Sequence, residues 1–457
     1  VSWLRLDELA QMASGRLIGD DVPVESVSTD TRRLVPGQLF VALRGPNFDA
    51  HALIEAGAAS NAAGVLVDRR LSVKTPQIVV DDTLTALTRI AAAWRNRLDT
   101  RVVALTGSNG KTTVKEMTAS ILRHIGAVLA TRGNLNNHIG VPLTLLSLRP
   151  VHRCAVVELG ANHPGEIQAL SALAAPDAAL VNNAGPAHLE GFGDLEGVAR
   201  AKGEIFSGLR VSGIAIINAD DRFCDYWKGL NQDRKCITFG LDTTADVAGS
   251  WKPGAPLSVR TPFGGVEIQV PLNGRHNAMN ALAATALSLA VGATTEQIAR
   301  GLEQVRPVSG RLNTRAGVAG AEIIDDTYNA NPASLTAALE VVSDLGGETW
   351  LVLGDMGELG SEASGFHRQA GELARRCGVT RLYGVGPLSL GAVTAFGVGA
   401  RHFDDAGRLA ATIAAELRSG VRVLVKGSRA MQLENVVAVL TQAVAGDESD
   451  QGAEDAA

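Results

Sequence analysis

Cysteine is sparse in this chain. Cys154, Cys224, Cys236 and Cys377 are the only four in 457 residues, and no two stand in a C-x-x-C spacing. That excludes a disulfide framework or a cysteine-built zinc site and leaves small buried hydrophobes in a reducing compartment. Basic clusters are missing too, and the net charge is −6, which disfavours nucleic-acid binding and a membrane-surface role. No apolar run is long enough to cross a bilayer: the alanine-rich stretch from Ala281 to Val291 is short and carries Thr285 and Ser288. The segment Val1 to Glu8 lacks a basic-then-apolar signal pattern. A cytoplasmic protein without membrane insertion is expected.

What is present is ample apolar content, 46%, and 50 glycines, as expected where loops turn sharply after strands or approach ligands closely. The length suggests about three domains. The most informative stretch is Thr106-Gly107-Ser108-Asn109-Gly110-Lys111-Thr112-Thr113. It follows a β-type run, Arg101 to Leu105, and precedes a helical pattern from Val114 to Arg123. Strand, glycine-rich loop, lysine-hydroxyl and helix make a cradle for nucleotide phosphates. Backbone N–H groups and a helix N-terminus face the phosphates, the lysine neutralises charge, and the hydroxyl can hold Mg²⁺. The general pattern has glycine six positions before the lysine, where this chain has Leu105. ATP or GTP is the expected ligand.

Around this loop the chain reads as α/β. Residues 1–82 hold β-type runs at Leu39–Leu43, Gly64–Val67 and Gln77–Val80, with a helix near Leu53 to Ala59. A helix from Thr83 to Leu98 leads into the loop strand. Apolar runs at Cys154–Val157, Ala178–Val181 and Ile214–Ile217 then end in Glu158, Asn182-Asn183 and Asn218. Such runs separated by helices predict a mostly parallel sheet covered on both faces, with ligands at its carboxyl edge. Asp246 to Pro271 alternates and predicts an antiparallel patch. After Arg311 a fresh alternation, with runs at Glu322–Asp325, Trp350–Leu353, Arg381–Tyr383 and Val421–Val425, predicts a third, Rossmann-like domain without a G-x-G-x-x-G opening. The expected boundaries are 1–82, 83–312 and 313–446, with 447–457 an acidic tail.

Several polar residues stand where chemistry is expected. Glu158 follows a buried run beside the phosphate loop and suits a Mg²⁺ ligand. Asn277 and Asn280 open a helix and share a face at i, i+3, so they either cap it or read a base or ribose. The run Asp325 to Pro332 ends a strand and is more polar than a turn requires, which suits a ribose or substrate site. His188 and Lys202 carry no local signal beyond a loop histidine and a solvated helix lysine.

Together these segments resemble the Mur ligases of peptidoglycan precursor synthesis. The resemblance rests on the phosphate loop, on Gly133-Asn134-Leu135-Asn136-Asn137-His138-Ile139-Gly140-Val141-Pro142, on Glu158-Leu159-Gly160-Ala161-Asn162-His163 and on Gly274-Arg275-His276-Asn277. It rests also on Asp326-Thr327-Tyr328-Asn329-Ala330-Asn331-Pro332 and on Leu353-Gly354-Asp355-Met356-Gly357-Glu358-Leu359-Gly360. It implies an ATP-dependent ligase that joins D-alanyl-D-alanine to UDP-N-acetylmuramoyl-tripeptide through an acyl phosphate. It further implies an N-terminal UDP domain, a central ATPase domain and a C-terminal domain that brings the amine. Carried over by position, Gly107, Ser108, Asn109, Gly110, Lys111, Thr112 and Thr113 hold the nucleotide with Asn277, Asn280, Arg311 and Asp326. Thr112, Glu158, His188 and a carbamylated Lys202 hold Mg²⁺ at two sites, and Asn137 lies near the reacting carboxylate. Ser28, Thr29, Asp30, Thr31, Arg32, Arg44, Gly45, Asn134 and Asn136 contact the UDP substrate, and Tyr328, Asn329 and Asn331 the dipeptide side. The carbamate has a charge rationale, since an ammonium beside Mg²⁺ is repelled whereas a carbamate offers anionic oxygen. A monomer is expected. Folylpolyglutamate synthase shares the loop but lacks a UDP domain, and a nucleotide-gated switch needs no second strand-end cluster.

Overall fold

The computed structural model describes residues 3–441; the acidic tail expected at 447–457 lies outside them. Three separate sheets of five, nine and six strands follow one another along the chain, besides two short two-stranded ribbons.

The five-stranded sheet runs in the order Arg16–Ile18, Gln77–Val79, Gly64–Val67, Gln38–Val41, Ser26–Ser28, parallel except at the first strand. Its helix is Ala50–Glu55, three residues earlier than the alanine pattern predicts. Asp49 decides that start, because its side chain accepts from the His51 N–H and caps the first turn. A short helix, Leu6–Ala13, packs beside the helix Thr83–Asn96. One continuous apolar core links these N-terminal residues, through Leu6, Leu9 and Trp94, to Val102, Ala104 and Val157 of the central sheet.

The nine-stranded sheet has the order Val128–Ala130, Cys154–Glu158, Arg101–Thr106, Ala178–Val181, Ile214–Asn218, Cys236–Gly240, Val247–Ser250, Leu257–Thr261, Gly264–Ile268. Its first seven strands are parallel, and the last two turn antiparallel. The antiparallel patch expected from Asp246 to Pro271 is present, and it extends the parallel sheet at its edge. The loop strand Arg101–Thr106 lies between Cys154–Glu158 and Ala178–Val181, where the chain order reverses. A crevice opens at such a point outside the carboxyl ends of the strands. The helix after the loop is Lys111–Leu122, so Lys111 and Thr112 begin the helix instead of closing the loop.

The six-stranded sheet is ordered Asn313–Ala316, Glu322–Asp326, Val421–Lys426, Glu348–Gly354, Arg381–Val385, Ala400–Phe403, parallel except at its first edge. The edge strands Asn313–Ala316 and Ala400–Phe403 have no apolar run to announce them, because an edge strand is not buried on both faces. Cores on the two faces of this sheet are separate from those of the other two sheets, and a hydrogen bond from Asn331 to Asn109 joins this unit to the phosphate loop.

Candidate active site

Asparagines hold the phosphate loop. The Asn109 N–H donates to Asn183 Oδ1 at 2.9 Å, and Asn182 Nδ2 donates to the Asn109 carbonyl at 3.0 Å and to Asn280 Oδ1 at 3.1 Å. Ser108 exchanges hydrogen bonds with Gly185, its hydroxyl donating at 3.0 Å and accepting at 2.9 Å. Gly110 has φ +80°, and a Cβ there would stand 2.4 Å from Asn280 Oδ1 and 2.6 Å from Asn182 Nδ2. Only glycine fits that conformation and that space.

Lys111 Nζ donates to the Gly107 carbonyl at 2.6 Å, and burial holds its pKa below the usual lysine range. Beneath it the Thr112 hydroxyl donates to Glu158 Oε2 at 3.1 Å and accepts from Arg311 Nη2 at 2.9 Å. Asn136 Nδ2 holds the other Glu158 oxygen at 2.9 Å. Glu158 is 2% exposed. A hydroxyl and a buried carboxylate side by side form a hard-oxygen pair of the kind that binds Mg²⁺ together with substrate phosphates and water. Among the described residues no group of three or more His, Cys, Asp or Glu could hold a metal by itself.

Lys202 is buried on the helix Leu195–Gly203, and its Nζ has no hydrogen-bond partner among the described residues. Burial first, and the charge of Lys111 second, lower its pKa to about 7. His188 pairs with Glu358 of the C-terminal unit, while burial and then Lys111 hold its imidazole below its ordinary pKa. Both His188 and Glu358 adopt positive φ, 55° and 61°. Such backbone strain in side-chain-bearing residues clusters at functional sites.

A cavity of about 1370 Å³ runs from the loop into the C-terminal unit. Ser108, Asn109, Gly110, Lys111, Thr113, Asn134, Asn136, Asn137, Glu158, His188, Asn277, Asn280, Arg311, Asp326, Tyr328, Asn329 and Asn331 all line it. Asn331 Nδ2 reaches Asn109 Oδ1 at 2.8 Å, and the Arg311 guanidinium lies 4.2 Å from the centre of the Tyr328 ring. Asn277 and Asn280 share a face, as their spacing implies, but they bond each other at 3.2 Å and Asn280 braces the loop.

Of the expected contacts to the UDP substrate, Asn134 and Asn136 line the cavity and those of the N-terminal unit lie elsewhere. Ser28, Thr29, Asp30, Thr31, Arg32, Arg44 and Gly45 do not line this cavity. Arg32 makes two bonds to the Asp30 carboxylate, each 2.9 Å, and Arg44 pairs with Asp68 at 2.8 Å and Asp49 at 3.3 Å. Neither guanidinium is free for a diphosphate without giving up a carboxylate.

Sequence reasoning missed three further residues. Lys426, 2% exposed, pairs with Asp326, its register partner on the neighbouring parallel strand. The apolar run Val421–Val425 ending in a charge was the available signal. His276 lines the cavity, and burial lowers its pKa to about 4, leaving it neutral. Glu358 stands in the stretch Leu353 to Gly360, which carries the resemblance, but no site role was read for it.

Comparison with known proteins accords with this geometry. Residues 105–288 match the Mur ligase middle domain, and residues 310–429 match the Mur ligase, glutamate ligase domain. The UDP-N-acetylmuramoyl-tripeptide–D-alanyl-D-alanine ligase of Escherichia coli (strain K12) is 47% identical, over 96% of this chain and 98% of its own. A crystal structure of MurF from Acinetobacter baumannii superimposes with a TM-score of 0.89 at 35% identity, covering 96% of this chain and 99% of that one. MurF ligase from Thermotoga maritima in complex with ADP gives a TM-score of 0.80 at 27% identity, covering 91% and 96%. With identity at this level along nearly its whole length, the chain belongs to the Mur ligase family.

Proposed function

We propose that this protein is an ATP-dependent ligase joining D-alanyl-D-alanine to the terminal carboxylate of UDP-N-acetylmuramoyl-tripeptide. It would yield the pentapeptide precursor of peptidoglycan, ADP and phosphate. The observation that carries the reading is the junction at Thr112. Its hydroxyl meets Glu158 of the central sheet and Arg311 from the approach to the C-terminal unit, while the cavity continues into that unit. Phosphoryl transfer and amine attack both need one space reached from two units.

A carboxylate resists amines near neutral pH because its oxygen leaves poorly. Transfer of the γ-phosphoryl group to that oxygen makes an acyl phosphate. The free amine of the dipeptide adds to its carbonyl carbon, and the tetrahedral species collapses with loss of phosphate as the nitrogen gives up a proton. Lys111 and Arg311 stand where they spread the charge developing on the phosphoryl oxygens, a preorganised field that lowers the barrier. Asn109, Asn182, Asn183 and Asn280 keep the loop in one shape for that purpose. Asn137 would lie by the reacting carboxylate.

Thr112, Glu158, His188 and Lys202 would hold Mg²⁺, which supplies charge neutralisation to the phosphates when bound. Lys202 suits carbamylation: a buried amine with no partner and a pKa about 7 is substantially neutral at physiological pH. Neutral amine and CO₂ give the carbamate and one proton. Residues 1–82 would receive the UDP group, 83–312 the ATP and 313–446 the dipeptide, with Tyr328, Asn329 and Asn331 nearby. Among the described residues no helix is long and apolar enough to cross a membrane; a monomer working in the cytoplasm fits its nucleotide substrates. The test is the mass of the product after incubation with ATP, Mg²⁺, UDP-N-acetylmuramoyl-tripeptide and D-alanyl-D-alanine. ADP release without a product heavier by one dipeptide minus water would overturn the reading.

A further inference from the structure

Resting on the ligase reading, the incoming D-alanyl-D-alanine is a zwitterion, and its two ends need opposite charges in the cavity. Most cavity charges are already committed. Lys111, Glu158 and Arg311 gather around Thr112, and Asp326 and Lys426 pair with each other. The Glu166 carboxylate accepts from the Asn162 and His163 N–H groups at 2.7 and 3.2 Å. Two charges of opposite sign on the C-terminal loops that line the cavity, Glu358 and Arg429, are held among the described residues only in open pairs, with His188 and Glu434.

Those loops touch. The Ser428 N–H donates to the Asp355 carbonyl at 3.0 Å, and the Cβ position of Gly357 faces the Ser428 side chain at 3.8 Å. Glu358 follows Gly357 and Arg429 follows Ser428, so the two charges flank one contact. An extended dipeptide spans roughly 7 Å, short enough to bridge adjoining loops. Among the described residues Arg429 is held only by Glu434 at 2.8 Å, with 63% and 40% of the two side chains exposed. Ion pairs this open are weak and exchange readily for a better partner. A guanidinium fork fits a carboxylate with two parallel hydrogen bonds. Glu358, 54% exposed and reaching His188 across the cavity, is the anion that can keep an ammonium beside the cations Lys111 and Arg311.

We infer that Glu358 and Arg429 select the incoming dipeptide, Glu358 receiving its ammonium group and Arg429 its terminal carboxylate. Steady-state kinetics with D-alanyl-D-alanine and with its C-terminal amide test this in wild type, Arg429→Gln, Glu358→Gln and Glu434→Gln. Wild type should lose about 10- to 100-fold in kcat/KM on amidation, the scale of a lost hydrogen bond to a charged group. Arg429→Gln should lose that factor on the dipeptide and nothing more on the amide. Glu358→Gln should raise the KM for dipeptide by a larger factor than it changes the KM for ATP, since Glu358 also touches His188, and Glu434→Gln should not raise the KM for dipeptide. The inference is overturned if wild type is indifferent to amidation, if Arg429→Gln keeps the full discrimination, or if Glu358→Gln acts on ATP instead. Should wild type form no amide product from either acceptor, the ligase reading itself fails; an active wild type with indifferent variants sinks this inference alone.

Discussion

Replacing Gly110 by alanine should damage the phosphate loop in two separable ways. The residue sits at φ +80°, so any side chain meets left-handed strain, about 1–2 kcal/mol for an L-residue. The new methyl would also fall 2.4 Å from Asn280 Oδ1 and 2.6 Å from Asn182 Nδ2. Both amides are packed and bonded, and forcing them apart adds about 1–3 kcal/mol. The expected loss is therefore about 2–5 kcal/mol, read from urea unfolding. Gly133→Ala is the control. Its φ is +54°, but nothing lies within 4 Å of its Cβ position, so it should lose only the strain, about 1–2 kcal/mol. Adding Asn280→Ala to Gly110→Ala should recover at least about 0.5 kcal/mol relative to additive behaviour, because it removes the nearest clash. ADP affinity should follow the same order, since Asn182 also fixes the Asn109 carbonyl. Equal losses in the two glycine variants, with additivity in the double mutant, would refute the contact argument and leave only backbone strain.

Lys202→Ala and Lys202→Arg should be equally defective in turnover, with formate or acetate restoring part of the alanine variant; substantial activity in the arginine variant, or rescue by methylamine alone, would overturn the carbamate. In CO₂-free buffer Lys202→Met should gain most on wild type near pH 6. The wild-type pKa of about 7 lies below the ordinary lysine value of 10.5, so the folded state binds fewer protons than the unfolded one between those limits. Wild type therefore gains stability as pH rises through that window, and the gap should narrow by pH 10; a gap independent of pH would refute the burial penalty. Lys426→Met strands Asp326, 8% exposed, and should cost about 3–5 kcal/mol in urea unfolding, with Asp326→Asn in the same chain recovering much of it. Small-angle scattering should change when ATP analogue and UDP-tripeptide bind together, because the C-terminal unit has its own cores and meets the phosphate loop through polar contacts; superimposable curves would count against that motion.

What can be read from residue order alone is whatever is local. Thr106 to Thr113 announce a strand, a loop and a helix within one short window, since the cradle is built from consecutive backbone N–H groups. Parallel strands buried on both faces show as unbroken apolar runs, and the polar residues that end those runs single out Glu158, Asn182 and Asp326. The family resemblance, carried over by position, adds the roles expected of Lys202 and Arg311. Tertiary structure alone decides who meets whom. Thr112 meets Glu158 across 46 residues, Lys426 meets Asp326 across 100, and Asn331 reaches Asn109 across 222. Strand order in the sheets makes these pairs, and no periodicity encodes strand order. The same limit applies in the N-terminal segment expected to contact UDP, where Asp68, 24 residues away, claims Arg44. A guanidinium's type is legible in sequence, but its partner depends on which carboxylate the folded chain brings within reach.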